Sequence, residues 1–113
     1  MTDNIQVKES IIGEKGLFAN KNFYKDDIVF VLDGQILNHP TRESIYIGNG
    51  EHIDDKYGMY INHSFDPTVR ISQKNVIAIK EILVGDEITF NYNENEINMA
   101  CPFIVDGIEV KGK

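Results

Sequence analysis

Turn residues interrupt this chain so often that its apolar runs are long enough only for short β-strands. The candidate strands are Ile5 to Glu9, Leu17 to Asn20, Ile28 to Leu32, Gln35 to Asn38, Ser44 to Ile47, His52 to Asp54, Val69 to Ser72, Val76 to Lys80 and Ile88 to Phe90. Asp33-Gly34 and Asn49-Gly50 read as hairpin turns, since both dipeptides tolerate the positive φ that a type I′ turn requires. Gln73-Lys74-Asn75 is expected to join a further hairpin. No helical period is sustained; Lys56 to Ile61 predicts one turn of helix and Asn93 to Ala100 a slightly longer one. The expected fold is therefore mainly β, built from several small antiparallel sheets. No repeat, low-complexity tract or linker divides the chain, so residues 1–113 read as a single domain. After Phe103 the tail alternates apolar and polar residues and is left open between packing and fraying.

Composition sets broad limits on function. Apolar residues make up 42% of the chain and charged residues 26%, which is globular rather than disordered. No window approaches the roughly 20 apolar residues of a membrane span, and Met1-Thr2-Asp3-Asn4 lacks an apolar signal region, so a soluble, cytoplasmic or otherwise intracellular protein with no membrane association is expected. Cys101 is alone, which leaves neither an internal disulfide nor a cysteine-based zinc cluster. The formal charge of −7 argues against direct nucleic-acid binding, which needs a basic footprint. That charge suits a basic protein partner, and serves colloidal solubility equally well.

Three blocks stand apart from this background. Gly13-Glu14-Lys15-Gly16-Leu17-Phe18-Ala19 reads as a loop entering a strand, with small residues where backbone must approach something closely. Tyr60-Ile61-Asn62-His63-Ser64-Phe65-Asp66-Pro67 reads as a loop in which Asn62 would ordinarily bond its own backbone. Gly85-Asp86-Glu87-Ile88-Thr89-Phe90-Asn91-Tyr92 reads as a turn, then a strand ending in an aromatic whose hydroxyl needs a partner. Taken in order and spacing, the three blocks resemble the motifs of SET domains, a family known for methylating protein lysines with S-adenosylmethionine. The resemblance covers residues 5–103, with 104–113 as a tail, and small size is similar to that of free-standing bacterial and viral members, the latter acting inside a host cell.

What the resemblance implies is specific. The fold would be the β-clip, small antiparallel sheets around a C-terminal, pseudoknot-like threaded segment, an exception to the usual avoidance of threading. Lys15, Gly16, Leu17, Tyr60, Asn62 and His63 would bind S-adenosylmethionine and release S-adenosylhomocysteine. Asn62 would take the amino-acid end and His63 the adenine, largely through its backbone. Tyr92 would stand at the transfer centre. A phenol of pKa about 10 suits alignment better than proton abstraction. The attacking lysine loses its proton to solvent, because an apolar channel beside a sulfonium depresses its pKa. In-line positioning of that kind supplies up to roughly 7 to 11 kcal/mol.

Several residues depart from the family pattern: Glu14 in place of a glycine, Met59 in place of an arginine, Thr68 in place of an asparagine, and Asn91 in place of an aspartate. Val105 and Val110 fall near where a zinc-binding C-terminal segment would carry cysteines, so no zinc is expected. Phe103 and Ile104, or a second subunit, would then close the lysine channel, and both monomer and homodimer remain open. These departures motivate a rival reading, a degenerate SET-fold interaction module, and a third, a structural β-clip without cofactor. His39, His52 and His63 with Asp54 and Asp55 lack a recognised metal-ligand spacing, and Ser64 beside His63 lacks a hydrolase elbow. Tyr46 reads as a packing residue, with substrate contact as the alternative.

Overall fold

The computed structural model describes residues 4–12, 14–41, 43–95, 103–105 and 107–110. Its strands in chain order begin with β1 (Ile5–Glu9), β2 (Lys15–Ala19), β3 (Ile28–Val31), β4 (Gly34–Leu37), β5 (Ile45–Gly48) and β6 (Glu51–Asp55). A single 3-10 turn, Gly58–Tyr60, precedes β7 (Asn62–His63), β8 (Val69–Ser72), β9 (Asn75–Ala78) and β10 (Glu87–Phe90). A short helix α1 (Tyr92–Asn95) and the pair β11 (Phe103–Val105) and β12 (Ile108–Val110) follow. The strands form small sheets in the orders β1-β2-β10-β7, β3-β9-β8, β4-β6-β5 and β11-β12.

Period-two burial marks some of these strands clearly. In β5, Ile45 and Ile47 turn inward, and in β9 Val76 and Ala78 do the same. The three larger sheets close on one core containing Leu17, Phe23, Val29, Ile53, Val76, Ile82 and Ile88. Each such side chain contributes about 1.5 to 3 kcal/mol by leaving water. An isolated bridge between Phe23 and Ile82 ties the loop after β2 to the approach to β10.

Asp33-Gly34 is not a hairpin turn. β3 pairs with β9 while β4 pairs with β6, so the dipeptide carries the chain from one sheet to another. Gly34 is needed there for space: a Cβ would collide with the carbonyl of Asp54. Asn49-Gly50 does turn a hairpin, with φ of 56° and 75° between β5 and β6. The β8-β9 hairpin closes at Ser72 and Asn75, with Gln73 at φ 54°. The described part of the tail packs, since β11 and β12 pair around Gly107 and Val110 is fully buried. The helix expected from Asn93 begins one residue earlier, and its expected end at Ala100 lies outside the described residues.

One buried carboxylate organises the approach to the central segment. Asp55, 4% exposed, accepts the Asp33 N–H at Oδ2 (2.7 Å) and the Tyr57 and Gly58 N–H groups at Oδ1 (2.7 and 2.6 Å). These bonds pin the 3-10 turn to the end of β6 and to the segment between β3 and β4, and fix where Ile61 and Asn62 emerge. Gly58 sits so tightly that a Cβ would lie 2.8 Å from Leu32 Cδ2 and 2.9 Å from Ile45 Cδ1. Gly58→Ala is therefore expected to destabilise the fold by about 1 to 3 kcal/mol through overpacking, read as a lower urea midpoint at unchanged slope.

The junction that matters for function is parallel. β7 lies beside β10 with Asn62 opposite Thr89 and His63 opposite Phe90. It sets the middle of the chain against its last long strand, where the threaded arrangement is expected. Thr68 locks the exit: its Oγ1 accepts the Thr89 N–H (3.0 Å) and donates to the Glu87 carbonyl (3.2 Å). A hydroxyl, donor and acceptor at once, thus serves the position where an asparagine is the family habit.

Candidate functional site

Three elements meet at the side chain of Asn62. Its Nδ2 donates to the Glu87 carboxylate (Oε2, 2.7 Å) and to the Lys15 carbonyl (3.0 Å), with Ser10 Oγ at 3.4 Å. The Ser10 hydroxyl in turn donates to Glu87 Oε1 at 2.7 Å and accepts the Ile12 N–H at 3.0 Å. A carbonyl and an ionised carboxylate accept only, so the amide must present its NH2 to them and its Oδ1 elsewhere. Among the described residues, the side-chain hydrogen bonds of Asn62 run through Nδ2. Asn62 is half-buried, and what it offers a ligand is an acceptor.

The second centre joins His63 to Tyr92. The Tyr92 N–H donates to His63 Nδ1 at 3.1 Å, and the Tyr92 hydroxyl donates to the Ile61 carbonyl at 2.6 Å. The start of α1 is thereby fastened to the residues flanking Asn62. The His63 ring meets Phe65 edge-on (centroids 4.4 Å apart) and Tyr92 at 5.2 Å, while Tyr92 leans on Phe90 at 4.7 Å. Asn91 begins the helix as its cap, accepting the Asn93 N–H at Oδ1 (2.9 Å). An asparagine does this as well as the aspartate it replaces.

The expected site residues separate into distinct roles. Gly16 lies directly against Glu87, whose carboxylate a Cβ would strike. Lys15 has an exposed side chain and gives its carbonyl to Asn62. The Leu17 side chain is wholly in the core, opposite Val7 and Ile88 in the sheet, so it faces away from any ligand at this junction. Tyr60 is half-buried against the core at the end of the 3-10 turn. Glu14 is exposed, and Met59 lies on the surface at 38% exposure. Tyr46 packs, its ring 5.2 Å from that of the buried His52. Phe103 and Ile104 form β11, and their side chains lie outside the described residues, as does Cys101. Ser10, Glu87 and Asp55 were not legible as site or scaffold residues; the signal was an acidic residue ending a Gly-Asp-Glu turn, which also suits an exposed loop.

The family model for the SET domain matches residues 14–93, which contain every residue of the Asn62 and Tyr92 centres except Ser10 and Ile12. The chain belongs to the SET-domain family. Among solved structures, this SET domain resembles a candidate histone methyltransferase of Plasmodium falciparum, with a TM-score of 0.65 and 24% identity over 81% of this chain and 95% of that one. It also resembles ctPRC2 in an autoinhibited conformation bound to S-adenosylmethionine, with a TM-score of 0.67 and 20% identity over 80% of this chain. An active polycomb repressive complex 2 in the stimulated state matches to the same degree, with a TM-score of 0.67 and 20% identity. In both of these the SET domain spans only 15% of the larger chain. At such identities the likeness is one of fold. No curated protein matches this sequence.

Two histidines give the SET domain a pH dependence with a defined sign. Burial lowers the pKa of His63 from 6.5; burial, and then the charge of His39, lowers that of His52. Protonating His63 would also forfeit the Nδ1 acceptor that holds Tyr92. Because the unfolded chain takes up these protons first, stability from the neutral imidazoles is full above 6.5 and is lost as pH falls through it toward the lower folded values. The urea midpoint is expected to fall as pH is lowered from neutrality to about 5, before most carboxylates titrate.

Proposed function

We propose that this SET domain transfers a methyl group from S-adenosylmethionine to the side-chain amine of a lysine in a basic protein. The observation that carries this reading is the docking of Tyr92 onto the Asn62 segment, by its N–H on His63 and its hydroxyl on the Ile61 carbonyl. Residues of the middle and last blocks thereby share one neighbourhood. The donor set also fits the cofactor: Asn62 Oδ1 is an acceptor for the α-ammonium of the methionine end, and the backbone of Lys15, Gly16 and His63 borders the same junction. S-adenosylmethionine, when bound, supplies a methyl group made electrophilic by its sulfonium.

The remaining tasks fall to this chain. With its proton directed to the Ile61 carbonyl, the Tyr92 hydroxyl would act as an acceptor toward polarised C–H groups or an amine at the transfer centre. Tyr92 aligns and does not abstract. A lysine losing hydration there becomes the neutral nucleophile and releases its proton to solvent. The net charge of −7 favours encounter with basic substrates. One structural relative bound to S-adenosylmethionine, and another assigned to histone methylation, support this class of reaction.

Calorimetric titration with S-adenosylmethionine, followed by mass spectrometry of lysine-rich proteins incubated with enzyme and cofactor, tests the proposal. Saturable binding and a mass gain of one methyl or more on lysine are expected; a folded protein without affinity for the cofactor rejects it. The rival interaction-module reading has one observation in its favour, that both amide hydrogens of Asn62 already have partners, which completes the network without a ligand. Methyl transfer by the wild type that disappears in Asn62→Ala removes that rival.

A further inference from the structure

We infer that Glu87, assisted by Ser10, is a positioning residue that sets which end of the Asn62 amide faces the cofactor, and so selects ligands carrying a free ammonium group. Glu87 has this role only if the chain binds the methyl donor, as proposed above. An asparagine amide is nearly symmetric in shape, and its two orientations present opposite chemistry to a ligand. One offers Oδ1, which attracts an ammonium; the other offers NH2, which repels it.

The surroundings of Asn62 remove that ambiguity. Both Glu87 oxygens are engaged, Oε1 by the Ser10 hydroxyl and Oε2 by Asn62 Nδ2, each at 2.7 Å. Gly16 leaves room for the carboxylate and for nothing more, since a Cβ there would strike Oε2 and come within 3.0 Å of Ser10 Cβ. Charge-assisted bonds of this length are about twice as strong as neutral ones. The Lys15 carbonyl, a second acceptor-only group, demands the same orientation. Rotating the amide would set Oδ1 against both acceptors. Glu87 therefore acts through Asn62, and its carboxylate adds negative potential where an ammonium would arrive.

The experiment compares two ligands, S-adenosylhomocysteine and 5′-methylthioadenosine, which lacks the amino-acid end. Wild type is expected to bind the first more tightly. In Glu87→Ala, affinity for S-adenosylhomocysteine is expected to fall about tenfold or more, as for loss of a hydrogen bond from a charged group, while affinity for 5′-methylthioadenosine stays within about twofold. The conservative variant Glu87→Gln keeps an acceptor, Oε1, for Asn62 Nδ2 while its NH2 meets Ser10 Oγ, and the Lys15 carbonyl bond is untouched. It is expected to retain the preference for the ammonium-bearing ligand, and it carries the test if Glu87→Ala does not fold.

Equal losses for both ligands would show that Glu87 merely supports the fold. No loss for either, a wild type that does not prefer S-adenosylhomocysteine, or a Glu87→Gln variant without that preference would each overturn the assignment. A folded wild type that binds neither ligand would instead reject the methyl-donor reading and Glu87's role with it. A side-chain amide spectrum gives a readout free of ligand: the Asn62 Nδ2 proton on Glu87 should be shifted and slow to exchange in wild type, and should move toward the free-amide position and exchange faster in Glu87→Ala.

Discussion

Asp55→Ala is expected to destabilise this SET domain by roughly 3 to 4 kcal/mol, more than any other single polar substitution considered. Three backbone N–H groups lose their acceptor at once: Asp33, Tyr57 and Gly58. The Gly58 bond is fully buried and water does not replace it. Hydrogen bonds to a charged group are worth about 1.5 to 3 kcal/mol each, and the sum falls short of additive because the turn relaxes as a unit. Against a typical stability of about 5 to 15 kcal/mol, such a loss should lower Tm by more than about 10 °C. Asp55→Asn should cost less but still substantially, since its NH2 must face an N–H donor. Thermal unfolding followed by circular dichroism decides the matter. A drop under about 1 kcal/mol for Asp55→Ala would mean that the 3-10 turn holds without its carboxylate.

This residue also shows what a sequence conveys and what it withholds. The strands were legible as short apolar runs between turn residues, some with period-two alternation, as of Ile45 and Ile47 within β5. Pairing was less so. Asp33-Gly34 carries strong turn chemistry, but a dipeptide does not reveal that β3 and β4 belong to different sheets. Asn62–His63 is two residues long and owes its strand character to a distant parallel partner, β10, so no local pattern marks it. Asp55 ends β6 with the composition of any loop carboxylate, and its three bonds follow from tertiary position.

The candidate site divides along the same line. Asn62, His63 and Tyr92 were legible through the ordered motifs, and the structure brings them together. Glu87 and Ser10 were not, because their contact joins residues 77 apart across the β1-β2 loop and β10. Leu17 falls within a motif, but its side chain belongs to the core. A motif identifies a stretch of backbone, and strand alternation then decides which of its side chains can meet a ligand.

Tyr92→Phe is expected to lower kcat for methyl transfer about 100-fold while leaving affinity for S-adenosylhomocysteine within about threefold. The ring stays: its packing on Phe90 and His63 does not involve the hydroxyl, and its N–H still holds His63 Nδ1. What is lost is the 2.6 Å bond to the Ile61 carbonyl and the oxygen that the proposed mechanism sets beside the transfer centre. Stability should fall by only about 1 kcal/mol, the usual net worth of one such bond. The chemical step suffers more, because a misplacement of about 1 Å at the reacting atoms costs on the order of 100-fold in rate. Single-turnover kinetics separate the two effects. A variant that transfers methyl at the wild-type rate would remove Tyr92 from the transfer centre, and one that loses cofactor affinity in parallel would make it a scaffold residue of the binding site. A slow variant with intact binding is the outcome that the proposed aligning role of Tyr92 requires.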